Sequence, residues 1–89
     1  MTEPDHLRNH LTHVVEDYLK AIYDLTAASG RASTTQIAER MGVTPASVTN
    51  MVQKLAITRP PLVKYRKHRG AVLTAEGERV ALEIIRHHR

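Results

Sequence analysis

Six basic residues, Lys54, Arg59, Lys64, Arg66, Lys67 and Arg69, fall in one stretch that contains no acid. Clustered cations raise the local positive potential and so attract a polyanion. Just ahead of them lies Thr34 to Ile57, TTQIAERMGVTPASVTNMVQKLAI. If its second half is helical, at about 100° per residue, Ala46, Ser47, Asn50, Gln53 and Lys54 share one side. That side is small and polar at its start and basic further along, a surface able to press into a major groove. Asn50 could pair bidentately with adenine, and Ala46 could touch a thymine methyl. A good bidentate pair gives about 1–3 kcal/mol of discrimination. Thr44 and Ser47 complete the candidate base-edge set. Thr34, Thr35, Thr49, Lys54, Arg66, Lys67 and Arg69 are the candidate phosphate contacts. A plain helical hairpin with a solvated face would carry many of the same residues, so the elements around them have to decide.

Those elements are marked by local signals. Ser33 with Gln36 has capping-box spacing, so a helix is expected from Ser33 to Met41, with hydroxyls and free N–H groups at its start. Gly42 suits a left-handed helix end. Thr44 can cap the next helix, with Pro45 at its first position. Val48, Met51, Val52 and Leu55 form one apolar stripe on that helix, which runs to about Ile57 before Pro60-Pro61 forbids continuation. Two helices joined this tightly read as a helix-turn-helix whose second helix is the reading helix. Leu62-Val63-Lys64-Tyr65 and Ala71-Val72-Leu73 read as short strands around the basic loop Arg66-Lys67-His68-Arg69-Gly70. A β-hairpin with a basic tip directly after a helix-turn-helix is a wing, and it favours DNA over the plain hairpin.

Around this unit, Thr12 to Ala28 reads as a strong helix with Val15, Tyr18, Leu19, Ile22 and Leu25 on its apolar side and Gly30 at its end. His13, Asp17, Lys20 and Asp24 lie together about half a turn away, either solvated or facing something added later. His6, His10 and His13 are spaced for one helix face. Thr74 caps a last helix, Ala75 to Arg89, whose buried side is expected at Gly77, Val80, Ala81, Ile84 and Ile85, with His88 projecting onto it. Three segments follow: a flexible N-terminus over 1–11, a winged helix-turn-helix over 12–74, and over 75–89 the start of a linker or dimerisation helix, expected to be truncated because no Gly, Asn or Pro ends it. The expected fold is mainly α with a small β-hairpin.

Composition agrees with this class. The 89 residues suffice for one small domain, and with no Trp or Phe and three Tyr its core must be aliphatic. Cysteine is absent, which excludes disulfides and thiolate metal sites and fits a cytoplasmic protein. No apolar run approaches the roughly 20 residues that cross a bilayer. No Ser-His-Asp order, phosphate loop or paired carboxylates can be assembled, so an enzyme is not expected.

The chain resembles the diphtheria toxin repressor family of metal-dependent transcriptional regulators, most closely its manganese transport regulator branch. The resemblance is carried by Glu16-Asp17-Tyr18-Leu19, Ile22-Tyr23, Ile37-Ala38-Glu39-Arg40-Met41, Val43-Thr44, Ser47-Val48-Thr49, Met51-Val52-Gln53-Lys54-Leu55, Tyr65-Arg66, Arg69-Gly70, Leu73-Thr74 and Arg86-His87-His88-Arg89. It implies a winged helix-turn-helix that binds a double-stranded DNA operator when Mn²⁺, or alternatively Fe²⁺, is bound, and that represses metal-uptake genes as a homodimer. It places metal ligands at Asp17 and His88, with further ligands in a following region. A carboxylate at the first position suits a hard cation. Where the manganese branch has a ligand Glu one turn later, this chain has Lys20, and a cation cannot ligate a cation. The Pro60-Pro61 link also looks longer than the family's usual one. Two rival readings stay open: a winged-helix regulator that senses no metal, and a winged helix used for protein contact.

Overall fold

The helices begin and end where the sequence supplies caps. The computed structural model describes residues 5–87, with side chains described from residue 13 onward. Its elements run α1 (Asp5–Ser29), α2 (Thr34–Met41), α3 (Pro45–Ala56), β1 (Val63–Arg66), β2 (Gly70–Leu73) and α4 (Ala75–His87). The Ser33 hydroxyl accepts from Gln36 N at 3.1 Å, and the Gln36 side chain accepts from Ser33 N at 2.9 Å, completing the capping box. Gly42 stands at φ +70° and ψ +35°, the left-handed end expected between α2 and α3. Thr44 caps α3 by accepting from Ser47 N at 3.2 Å.

One boundary differs clearly. The sequence places the start of α1 at Thr12, whereas the helix begins about two turns earlier, at Asp5. Pro4 breaks a helix only toward its own N-terminal side, and Asp5 favours a helix start through the dipole. Leu7 and Leu11 continue the period of Val14 and Tyr18, so nothing in residues 5–11 stops the helix.

The core forms where the apolar sides of these helices meet. Ile22 of α1, Ile37 of α2, and Val48 and Val52 of α3 have no exposed surface, and Leu19 and Leu55 are also buried. Val15, Leu25 and Met51 pack against them half-buried. No polar or charged residue is buried among the described residues. The inner side of α4 buries Gly77 and Ala81, with Val80 and Ile84 packed beside them.

The strands pair antiparallel, with Val63 opposite Leu73, Lys64 opposite Val72, Tyr65 opposite Ala71 and Arg66 opposite Gly70. A third extended residue joins them: Ala71 N donates to Ala32 O at 2.8 Å, so the segment before α2 lies beside β2. The link after α3 folds back on itself. Leu62 N donates to Leu55 O at 3.0 Å, and the Thr58 hydroxyl lies 3.0 Å from the carbonyl oxygens of both Leu55 and Pro60. The long Pro60-Pro61 link therefore returns β1 to the end of α3. Thr74 ties that link to α4, donating its hydroxyl to Pro61 O at 2.6 Å and accepting from Gly77 N at 3.1 Å. A β-carbon on Gly77 would stand 1.9 Å from Leu62 O, so α4 can approach the link only through glycine.

Candidate nucleic-acid interface

α3 turns its apolar stripe inward and leaves the other side bare. Ala46, Ser47, Asn50, Gln53 and Lys54 are all exposed, as the helical period requires. At the start of the helix the Thr44 and Ser47 hydroxyls lie 2.9 Å apart and share a hydrogen bond. Each keeps spare capacity, since a hydroxyl has one donor and two lone pairs. Thr49 is different: it is half-buried, and its hydroxyl donates to Pro45 O at 3.1 Å. Its donor is turned to the helix itself, leaving only lone pairs for another partner.

At the start of α2, Thr34 is half-buried and Thr35 exposed. The capping box consumes Gln36 N, and Ile37 N donates to Ser33 O at 3.0 Å. The first-turn N–H groups that this pattern leaves over belong to Thr34 and Thr35.

The hairpin carries its basic charge differently from the sequence expectation. β1 begins and ends one residue later than expected and β2 begins one residue earlier, so Arg66 belongs to β1 and pairs with Gly70 instead of lying in the loop. Lys67, His68 and Arg69 form the turn, where Arg69 N donates to Arg66 O at 3.0 Å. His68 takes φ +69° and Gly70 φ +90°. Lys64, Arg66, Lys67 and Arg69 are exposed. The ion pairs among the described residues join His13 to Glu16, Asp24 to Arg40, and Arg79 to Glu76 and Glu83. None of them neutralises the hairpin or Lys54. α3 packs beside β1, so the helix that carries the bare face and the strand that carries Lys64 and Arg66 are neighbouring elements.

The sequence counts Lys64 in the basic stretch without giving it a contact and leaves out Arg31; both line a recess with Arg66, Arg69, Gly70 and Val72. Nothing in local spacing couples Arg31 to the hairpin, because a backbone pairing distant in sequence brings it there. The polar side of α1 also finds a partner that spacing could not reveal. Asp24 holds Arg40 of α2 at 2.7 Å, fastening the first helix to the helix-turn-helix.

The expected metal residues are less well served. His88 lies outside the described residues, as do the side chains of His6 and His10. Asp17 is exposed and lines a shallow hollow with Lys20, Ala21, Arg40 and Met41. Its charged neighbours there are cations. Among the described residues no three His, Asp or Glu side chains gather closely enough to hold a metal ion. A hard divalent cation wants about six oxygen or nitrogen ligands, so the described donor set does not fit one.

Among the described residues no helix is long and apolar enough to cross a membrane. Compared with known proteins, residues 10–71 match the family model described as "Iron dependent repressor, N-terminal DNA binding domain". The chain is 40% identical over 77 residues to the HTH-type transcriptional regulator MntR of Oceanobacillus iheyensis, covering 86% of this chain and 51% of that one. The MntR of Bacillus subtilis is likewise 40% identical over 77 residues, covering 86% and 53%. The MntR of Shouchella clausii is 42% identical over 77 residues, covering 86% and 52%. The chain thus spans about half the length of these curated relatives.

Proposed function

Because the chain belongs to the iron dependent repressor family, the family that its sequence resembles, we propose that it is the DNA-reading part of a divalent-metal-responsive transcriptional repressor of metal-uptake genes. The observation that carries the reading is the pairing of a bare, small-residue face on α3 with an un-neutralised basic hairpin beside it. In this reading Thr44, Ala46, Ser47 and Asn50 approach base edges. Ala46 and Ser47 are short enough to let the helix backbone come close, and Asn50 supplies the donor and acceptor that adenine requires. Thr34, Thr35, Lys54, Arg66, Lys67 and Arg69 hold phosphates and fix the register. Thr49 contributes through its lone pairs or through packing alone, since its donor is spent.

The regulator works in the cytoplasm as a homodimer, whose two reading helices meet operator half-sites about one turn apart. Asp17 and His88 are the residues of this chain offered to Mn²⁺ or Fe²⁺. They are too few to hold such a cation alone, and Lys20 removes the carboxylate that the manganese branch would add one turn on.

The test uses the intact protein. Duplexes are selected from a random pool with Mn²⁺ present, and Mn²⁺ and Fe²⁺ are then titrated against a selected duplex. Affinity that rises with either cation supports the proposal. Affinity indifferent to both would leave a winged-helix regulator that senses no metal. Failure to enrich any sequence would leave a winged helix used for protein contact.

A further inference from the structure

Successive side chains of a strand point to opposite faces, so Lys64 and Arg66 project away from the core that Val63 enters. Their partners across the hairpin, Val72 and Gly70, bring no charge. Arg69 closes the tip, and Arg31 reaches the same place from the segment before α2. Together these four cations line a recess of about 450 Å³. No acid lines it, and none of the four belongs to an ion pair among the described residues.

The recess depends on a close backbone approach. Ala32 pairs with Ala71, and a β-carbon at Gly70 would stand 2.3 Å from Ala32 O. Only glycine at that position lets the Arg31 segment lie so near the wing, and its φ of +90° suits glycine as well. The recess also has a direction. α3 packs beside β1, whereas Arg31 stands beyond β2, at the other edge of the hairpin. Positive charge therefore continues past the wing and away from the reading helix.

We propose that Arg31, Lys64, Arg66 and Arg69 form a phosphate-binding recess that grips duplex backbone beyond the segment met by α3. The proposal rests on the reading of this chain as a DNA-binding domain, and it lengthens the contacted stretch on the far side of the wing. Four exposed cations around one hollow repel one another unless an anion lies among them, and a nucleic-acid backbone supplies evenly spaced phosphates over that length. The contact is independent of base sequence, so it adds affinity without adding discrimination.

The experiment compares wild type with the double variant Arg31→Ala/Lys64→Ala on random-sequence duplexes of about one and about three helical turns, roughly 10.5 base pairs per turn. On the longer duplex the variant is expected to bind about tenfold more weakly, with a log–log salt slope smaller by about two. On the shorter duplex the two proteins should bind alike. The control variant Arg79→Ala/Arg86→Ala removes the same charge from α4 and should leave the slope unchanged. An unchanged slope for Arg31→Ala/Lys64→Ala on the longer duplex overturns the recess. So does an equal loss in the control, because net charge would then set the slope. Lys67→Ala separates the recess from the reading beneath it: a loss on both duplex lengths keeps the DNA-binding reading standing whatever the recess does. Wild type that binds neither duplex overturns both.

Discussion

Val63 and Lys64 are adjacent in the chain and live under different rules. Val63, on the inner face of the hairpin, is 1% exposed and belongs to the aliphatic core, while Lys64 stands in solvent on the outer face. The inner face is explained by what the chain itself contacts: it buries apolar surface at about 25 cal/mol per Å², and no polar or charged residue is buried among the described residues. The outer face gathers cations that no acid within the described fold neutralises, and folding alone gives no reason for it. The difference teaches where to look for function in a small domain. A side chain that the fold accounts for is structural, and a cluster that the fold leaves unbalanced points to a partner outside the chain.

The sharpest way to break this comparison is to place the same residue on both faces. Val63→Asp puts an unpaired carboxylate into the core and should cost several kcal/mol, measured by urea unfolding. Lys64→Asp should change stability by no more than about 0.5 kcal/mol. Equal costs would mean that the two faces are not different in kind. Gly70→Ala probes the hinge between them. A non-glycine residue at positive φ costs about 1–3 kcal/mol, and the contact with Ala32 O adds to it. The amide signals of Arg31 and Ala32 should shift in the same variant, and signals left in place would mean that Gly70 does not hold the segment there.

α3 repeats the two-sidedness on a helix, and its cap offers a smaller effect. Thr44→Ala removes the bond from Ser47 N and should lower stability by about 1 kcal/mol in thermal or urea unfolding. A loss within error would show that Pro45 and the buried stripe set the helix start unaided. The smallest effect belongs to Tyr18, whose phenol burial raises above its ordinary value of 10.0. The folded state then prefers the neutral form. Its contribution is fully present below pH 10, and stability falls as pH rises through the higher folded value. Tyr18→Phe should flatten that alkaline fall, and an identical pH profile for the variant would remove Tyr18 as its cause.

The parts of this molecule that were legible in its sequence are those set by neighbours in the chain. Ser33 with Gln36, Gly42, and Thr44 with Pro45 each specify a boundary through hydrogen bonds or φ angles within a few residues, and the helices start and stop there. The stripe Val48, Met51, Val52 and Leu55 fixed the buried side of α3, and with it the bare side. What spacing could not supply came from distant pairs. Arg31 joins the hairpin through Ala32 and Ala71, and Asp24 joins Arg40, because the fold happens to bring those segments together. The early start of α1 is hidden for a different reason: residues 5–11 are mostly polar, and only Leu7 and Leu11 carry the helical spacing there. The candidate reading face was therefore legible residue by residue, whereas the extent of the basic surface was not.

In the proposed reading α3 and the wing bind duplex DNA on one shared surface. The most direct measurement is an amide-resolved nuclear magnetic resonance titration of the chain with duplex DNA. Shifts are expected to concentrate at residues 31–35, 44–54 and 64–70, while the outward side of α4 stays still. Shifts confined to α1 and α4, with the signals of Ser47, Asn50 and Lys67 unmoved, would contradict it.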